Sequence, residues 1–297
     1  MNDREFYSQT KSSWLTSCQQ LPNPRNLKFT IKRNLKDYGL HIFRCGEKPE
    51  PSGQAKTELV RYLERLGSVL NQSSEGCEIF EVKDEGYDSN HPKFRGPSSN
   101  HELTFHTDRC DVIVFYCVRP ADEGGVNQFV RAQTIYKVLS EEEPELLKTL
   151  EDIFIYKRHN VDLAFPEPFY RLPVFDRVEG RLYITLMTYL INKADRDPEL
   201  PNLSALQKSA LNKVQEICRR KENRLEIKLE TGDLLFLNNT QMLHSRSAFR
   251  DKTTKRLYYR AWMTFPWSEE LPQSFQPVFG SVKAGELRGG FRLLGNS

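Results

Sequence analysis

Two blocks of strand-forming sequence, residues 103–130 and 224–264, flank a long loop and helical stretch. That spacing constrains the fold more than any other feature of the chain. Residues 112–118 (VIVFYCV) form a continuous apolar, β-branched run, the pattern of a strand buried on both faces. Residues 224–230 alternate instead, with Leu225, Ile227 and Leu229 on one face and charges on the other. Residues 234–237 and 257–264 (LYYRAWMT) read as further buried strands, with Thr231-Gly232-Asp233 turning the chain before the first. Between the blocks, Leu203, Leu206, Ala210, Leu211, Val214, Ile217 and Cys218 recur at helical spacing and predict a helix over 204–221. Strands in two blocks with helices around them predict an α+β chain: a double-stranded β-helix (jelly roll) with flanking α-helices. The 297 residues are read as one domain, 1–297, with 140–223 a largely loop and helical insertion.

The first hundred residues carry less pattern. Leu27, Ile31 and Leu35 recur at helical spacing, and Gly39 follows as a C-terminal cap. A short strand then covers 40–43, and His41 inside it reads as a hydrogen-bonded core histidine. Leu59, Leu63, Leu66 and Leu70 place a second helix over 56–70. Residues 84–100 (DEGYDSNHPKFRGPSSN) are rich in Gly, Pro, Ser and Asn and predict an irregular loop leading into a histidine-bearing segment, a candidate active-site loop.

Composition excludes several classes. With 43 basic and 40 acidic residues interspersed, the net charge is +3, and no basic stripe suits nucleic acid. No apolar run approaches the roughly 18 residues a membrane helix needs, and no apolar leader opens the sequence, so a cytoplasmic location is expected. The six cysteines (18, 45, 77, 110, 117 and 218) form no C-x-x-C pair and read as reduced, mostly buried thiols. A homo-oligomer is compatible with all of this.

The chemistry begins at His106-Thr107-Asp108. Residues two apart on an extended chain face the same way, so an imidazole and a carboxylate converge. Nitrogen and hard oxygen donors on one face, with open positions opposite, are what iron(II) takes. A second histidine, His244, follows the buried run LLFLNN. Residues 250–255 (RDKTTK) read as a hairpin loop, which places His244 across from Arg256, and Arg260 shares the Arg256 face. Buried arginines need anionic partners, either protein carboxylates or a dicarboxylate cosubstrate gripped in a guanidinium fork.

The order H-x-D, a Gly-Gly turn, GDLLFLNN-x-x-x-LH-x-R-x-x-F and a downstream R-x-x-x-R resembles the TauD/TfdA family of iron(II)/2-oxoglutarate oxygenases over most of the chain. IKRNLKDYGLHIFRCG resembles the family's N-terminal helix–strand unit. The resemblance implies Fe(II), 2-oxoglutarate and O2 as cofactor and cosubstrates, with release of succinate and CO2. It implies His106, Asp108 and His244 as metal ligands and Arg256 as the clamp on the distal carboxylate of 2-oxoglutarate. It implies Arg260 as a clamp on an anionic group of the substrate. Arg246 falls on the family's L-H-G-R arginine, with Ser245 in place of glycine, and is assigned with His101 to the substrate. Asn127 stands where the family's G-G-[DE]-T threonine hydroxyl meets 2-oxoglutarate, and its amide can still donate. Asn238-Asn239 replaces a common D-N before the distal histidine and removes a charge there.

The expected reaction is hydroxylation of an unactivated C–H of a small, anionic or amino-acid-derived molecule. The same chemistry can end in desaturation, cyclisation or epimerisation. A zinc hydrolase and a non-catalytic jelly-roll binding module are the readings from other classes. His91 and His159 are unassigned, and Phe165, Phe169, Tyr170 and Tyr258 are candidate apolar pocket residues.

Overall fold

A computed structural model describes residues 2–46, 48–86, 96–158 and 167–293. In chain order the strands are β1 (Leu15–Cys18), β2 (Leu40–Cys45), β3 (Ser68–Leu70), β4 (Ile79–Val82), β5 (Val112–Arg119), β6 (Glu123–Gly124), β7 (Asn127–Arg131), β8 (Phe154–Lys157), β9 (Phe169–Leu172), β10 (Phe175–Val178), β11 (Arg181–Ile184), β12 (Leu225–Ile227), β13 (Asp233–Asn238), β14 (Met242–Arg246), β15 (Phe249–Arg250) and β16 (Leu257–Thr264). Seven of them make one mixed sheet in the order β1-β2-β13-β5-β16-β3, with β4 also paired to β16. Only its β1–β2 pair is parallel. A three-stranded antiparallel sheet, β12-β7-β14, stands apart from it.

The alternation of side chains along β5 explains the layering. Val112, Val114, Tyr116 and Val118 pack outward with Leu27, Ile31, Leu35, Leu59 and Leu63, under the helices Lys28–Asp37 and Gly53–Glu64. Ile113, Phe115 and Cys117 pack inward with Phe129, Ile227 and Met242 of the small sheet. The outer face of the small sheet, Val130 and Leu243, is covered by helices Ala132–Glu142, Pro144–Glu151, Thr188–Asp195 and Ala205–Arg219. The two sheets thus share an inner layer, and each has helical cover outside.

Most sequence expectations hold: the helix ending before Gly39, the strand from Leu40, the long helix (observed Ala205–Arg219) and strands β5, β13 and β16. Three differ. The helix expected over 56–70 ends at Glu64, because Leu70 is needed opposite Trp262 at the edge of the large sheet; tertiary pairing overrides helical periodicity. The alternating run 224–230 is a strand only over Leu225–Ile227, where β7 is within reach. The segment 140–223 holds two hairpins, β8–β9 and β10–β11, in addition to helices. Each of those strands has four residues, too few for a period to stand out against Pro and charge. Of the loop 84–100, residues 87–95 lie outside the described residues, as do His159 and Phe165. All six cysteines are free thiols, four of them buried. Among the described residues, no helix is long and apolar enough to cross a membrane.

His41 is wholly buried and bonded through Nδ1 to the Asn34 amide at 2.7 Å, while its Nε2 has no partner. Burial, with a lesser contribution from Arg33, depresses its pKa from 6.5 to about 4. A histidine held neutral stabilises the fold above the pH at which the unfolded chain takes up its proton. That stability is lost as pH falls from about 6.5 towards 4, by about 3 kcal/mol at 1.36 kcal/mol per unit. His41→Gln keeps a partner for Asn34 but does not titrate. Urea unfolding across this window should show a shallower acid limb for the variant; identical limbs would remove His41 from the acid response.

Candidate functional site

β14 sends Met242, His244 and Arg246 into the space between the sheets, while Leu243 joins the outer, helix-covered core. His106 is joined to His244 by an isolated antiparallel bridge whose two N–H···O bonds are both 3.0 Å. The rings lie side by side, centroids 4.2 Å apart. Asp108 follows two residues on, and the ligand atoms of His106, Asp108 and His244 lie within 4.8 Å of one another.

Two amides hold this segment. Asn239 accepts from the Asp108 N–H at 2.7 Å and donates to the Asp108 and Cys110 carbonyls at 2.7 and 2.6 Å. Gln215, on helix Ala205–Arg219, bonds both backbone groups of Phe105 at 2.9 Å. Asn238 instead donates to the Leu35 carbonyl and to Gln241, so its lost charge falls on the loop after β13 rather than on the three ligands.

His106 Nδ1 is 2.7 Å from the Thr104 carbonyl, which can only accept, so Nδ1 carries the proton and Nε2 keeps its lone pair. Burial lowers the pKa of both histidines, most strongly for His244, whose Nδ1 is buried without a partner. Burial by itself would raise Asp108, but Arg260, followed by His244 and His106, holds the carboxyl below its usual range. Two neutral imidazoles and one carboxylate are the protonation states in which these groups bind metal.

Arg260 lines the cavity and is also engaged by the protein. Its Nη1 donates to Asp108 Oδ2 at 3.0 Å and its Nε to Gln72 Oε1 at 2.8 Å. Trp262 Nε1 donates to the same Oδ2 at 3.0 Å, and no described residue donates to Oδ1. The arginine expected to hold a substrate anion is paired with a protein carboxylate. The expected hairpin pairing of His244 with Arg256 fails: β14 pairs with β7, and β16 lies in the other sheet. The side chains meet across the gap between sheets rather than along one ladder.

Arg256 is 1% exposed, its guanidinium 3.8 Å from the Tyr258 ring centroid and 5.2 Å from that of Phe249. Gly125, at φ 65°, is packed so closely that a Cβ there would lie 3.5 Å from Arg256 Nε and 3.2 Å from Ala121 Cβ. Arg246, assigned from sequence to the substrate, lies instead beside Arg256, 4.7 Å from the same Phe249 ring. Its Nη2 donates to the Ser99 carbonyl at 2.8 Å and to the His101 carbonyl. His101 contributes that carbonyl, and its side chain is exposed and off the cavity wall. Arg256 Nε, Arg246 Nε and Nη1, and the Tyr258 hydroxyl are all buried without partners. Burial, then the neighbouring Arg256 charge, lowers Arg246 to about 9. Asn127 is buried opposite Arg246 in the β7–β14 register, and its amide donates to the Ile227 carbonyl at 3.3 Å.

The residues therefore fit the groups implied by the sequence. Three ligand atoms converge with neutral imidazoles and an ionised carboxylate. Beside them, two buried guanidiniums retain unsatisfied donors, an arrangement that a carboxylate would complete. A cavity of about 410 Å³ opens on His106 and Asp108, walled largely by apolar and aromatic side chains, Tyr170 among them. Phe169 and Tyr258 do not line it. Trp262, Gln72 and Asn239 carry roles that the motifs did not signal. Trp262 was within reach, since it is two residues from Arg260 on one strand.

Comparison with known proteins gives a family and a fold. The family model described as taurine catabolism dioxygenase TauD, TfdA family matches residues 19–262. FR-33289 synthase of Streptomyces rubellomurinus is 27% identical over 230 residues, 74% of this chain and 66% of that protein. The taurine hydroxylase-like protein SAT17 of Stachybotrys chartarum is 33% identical over 193 residues, 59% of this chain and 48% of that protein. The chain thus spans about two thirds and about half the length of these curated relatives. Among solved structures, asparagine oxygenase with Fe(II), 3-hydroxyasparagine and succinate superposes with a TM-score of 0.61 at 16% identity, covering 81% of this chain and 79% of that one.

Since Trp262 supplies one of two donors to Asp108, Trp262→Phe should weaken iron(II) or cobalt(II) binding about tenfold, the lower end for groups that orient a metal ligand. Arg260→Met, which also removes the cation, should weaken it more. Titration with metal, with circular dichroism to check folding, measures both; unchanged affinity in folded Arg260→Met would show that Asp108 needs no such support.

Proposed function

The chain belongs to the TauD/TfdA family, and on that premise we propose that it is an iron(II)- and 2-oxoglutarate-dependent oxygenase that hydroxylates a small organic molecule. The observation that supports this most is one juxtaposition. The ligand atoms of His106, Asp108 and His244 come within 4.8 Å of one another beside a cavity that His106 and Asp108 line, and two buried arginines with unspent donors stand nearby. We read the facing sheets as a double-stranded β-helix and the chain as one oxygenase domain. The 3-hydroxyasparagine held by the asparagine oxygenase structure supports an amino acid or derivative as the substrate class.

In this reading His106, Asp108 and His244 hold the metal. Arg256 holds the distal carboxylate of 2-oxoglutarate, with Arg246 and the Tyr258 hydroxyl as further donors and Asn127 beside them. When bound, iron(II) with 2-oxoglutarate and O2 supplies the oxidising power, and the cosubstrate leaves as succinate and CO2. The chain's own residues do the rest. Thr104 fixes the His106 tautomer. Arg260 and Trp262 engage one oxygen of Asp108 and leave the other for the metal. Asn239 holds the Asp108 backbone, and the apolar wall keeps water from the reacting centre.

The test is succinate release with iron(II), 2-oxoglutarate and O2 across amino acids and small metabolites. Substrate turnover that does not need 2-oxoglutarate would favour a hydrolase and sink the reading. Arg256→Ala should raise the KM for 2-oxoglutarate about ten- to a hundredfold, as a charged hydrogen bond is worth about 1.5–3 kcal/mol. Arg256→Lys should recover only part, because lysine lacks the fork. A wild-type KM in Arg256→Ala would reassign the cosubstrate clamp. Asp108→Ala should fold normally by circular dichroism, bind iron more weakly and lose most succinate release; full activity would place the third ligand elsewhere.

A further inference from the structure

One side chain on the wall of the cavity beside the triad lies outside the family match. That match ends at residue 262, whereas Phe291 lies well beyond it and lines the cavity. Its placement is built in. Gly289 and Gly290 both have positive φ, and a Cβ on Gly289 would lie 2.7 Å from the Arg109 carbonyl oxygen and one on Gly290 3.0 Å from that of Asn71. Gly290 N–H donates to the Arg109 carbonyl at 2.7 Å and Phe291 N–H to the Asn71 carbonyl at 2.8 Å. These contacts fix the Phe291 ring near-parallel to Trp262, centroids 5.8 Å apart and planes 24° apart. Phe80, Tyr170, Met187 and Tyr189 extend this surface around the same space.

Arg260, the cation on the wall beside the triad, is poorly placed to grip a carboxylate. A guanidinium binds one in a fork, through Nε with Nη2 or through Nη1 with Nη2. In Arg260, Nε is bonded to Gln72 and Nη1 to Asp108, so each fork has already given one nitrogen to the protein. The same guanidinium lies 5.2 Å from the Phe80 ring centroid and 5.1 Å from that of Trp262. Arg109 turns Nε to the Val278 carbonyl at 2.7 Å and lies 5.2 Å from the Phe291 ring centroid. Thr188 is also on the wall, and its hydroxyl, buried just behind the surface, is unpartnered, a donor and acceptor of neutral type. A volume of about 410 Å³ falls in the range of pockets that take drug-sized ligands through apolar walls and few polar groups.

We propose that the substrate carries an uncharged aromatic or similarly flat apolar group that packs on the Phe291–Trp262 wall, with a neutral hydrogen-bonding group directed to Thr188, and that Phe291 sets this specificity. Calling the occupant a substrate rests on the oxygenase reading; the binding preference does not. It is therefore measured first on metal-free protein by calorimetry, with N-acetyl-L-phenylalaninamide as the neutral aromatic probe and taurine and L-glutamate as small charged probes. The aromatic probe should bind at least about tenfold more tightly than either charged one. Phe291→Ala should weaken it about tenfold or more, the scale of losing a buried aromatic contact, and Thr188→Val should weaken it less. Cobalt(II) and 2-oxoglutarate binding should be the same in Phe291→Ala as in wild type. Taurine or L-glutamate binding as tightly as the aromatic probe, no binding of that probe, or unchanged affinity in Phe291→Ala would each overturn the proposal. Absence of 2-oxoglutarate binding to metal-loaded wild type would overturn the oxygenase reading alone. In the holoenzyme, the succinate-release screen should then favour aromatic amides and esters over small acids.

Discussion

A charge taken out of water between two sheets must be met by another, and the site is organised around that requirement. Asp108 meets Arg260, and Trp262 shares its oxygen. Arg246 and Arg256 keep buried nitrogens with no partner. The first pair is complete within the protein, whereas the second leaves positive charge unsatisfied. Removing one member of a buried pair costs about 3–5 kcal/mol, so Arg260 and Asp108 constrain each other as strongly as any apolar contact in the core. The anion-seeking part of the site and the apolar cavity are accordingly separate: the guanidiniums gather around Phe249, and the aromatic wall around Trp262.

Much of this is legible in the sequence alone. His106 and Asp108 converge because residues two apart on an extended chain face one way, and His244 follows a strand whose burial is plain from LLFLNN. The course of the chain after His244 was not legible. A loop of turn-forming residues predicts a hairpin, but β14 and β16 belong to different sheets, and local sequence carries no signal for a change of sheet. The partner of Arg260 was open for the same reason. Sequence shows that a buried arginine needs an anion, but which anion is within 3 Å depends on how the sheets stack. Phe291 could not be found at all, since nothing periodic links a glycine-rich tail to residues as distant along the chain as His106 and Asp108. His41 shows the opposite case, where an apolar neighbourhood alone identified a core histidine.

The placement of Arg260 and Trp262 on one strand has a consequence for how the chain tolerates change. Tyr258, Arg260 and Trp262 face inward from β16, while Tyr259, Ala261 and Met263 join the outer core. β16 is held by β5 along its length and by β3 and β4 on its other edge, with a single irregularity between Leu257 and Tyr258. A slip of one residue would turn every side chain of the strand to the opposite face. Both donors to Asp108 would leave together, and Tyr259 and Ala261 would take their places. Insertions and deletions in β16 are therefore all-or-none for the site. Phasing along one strand, more than the identity of any single side chain on it, is what the two donors have in common.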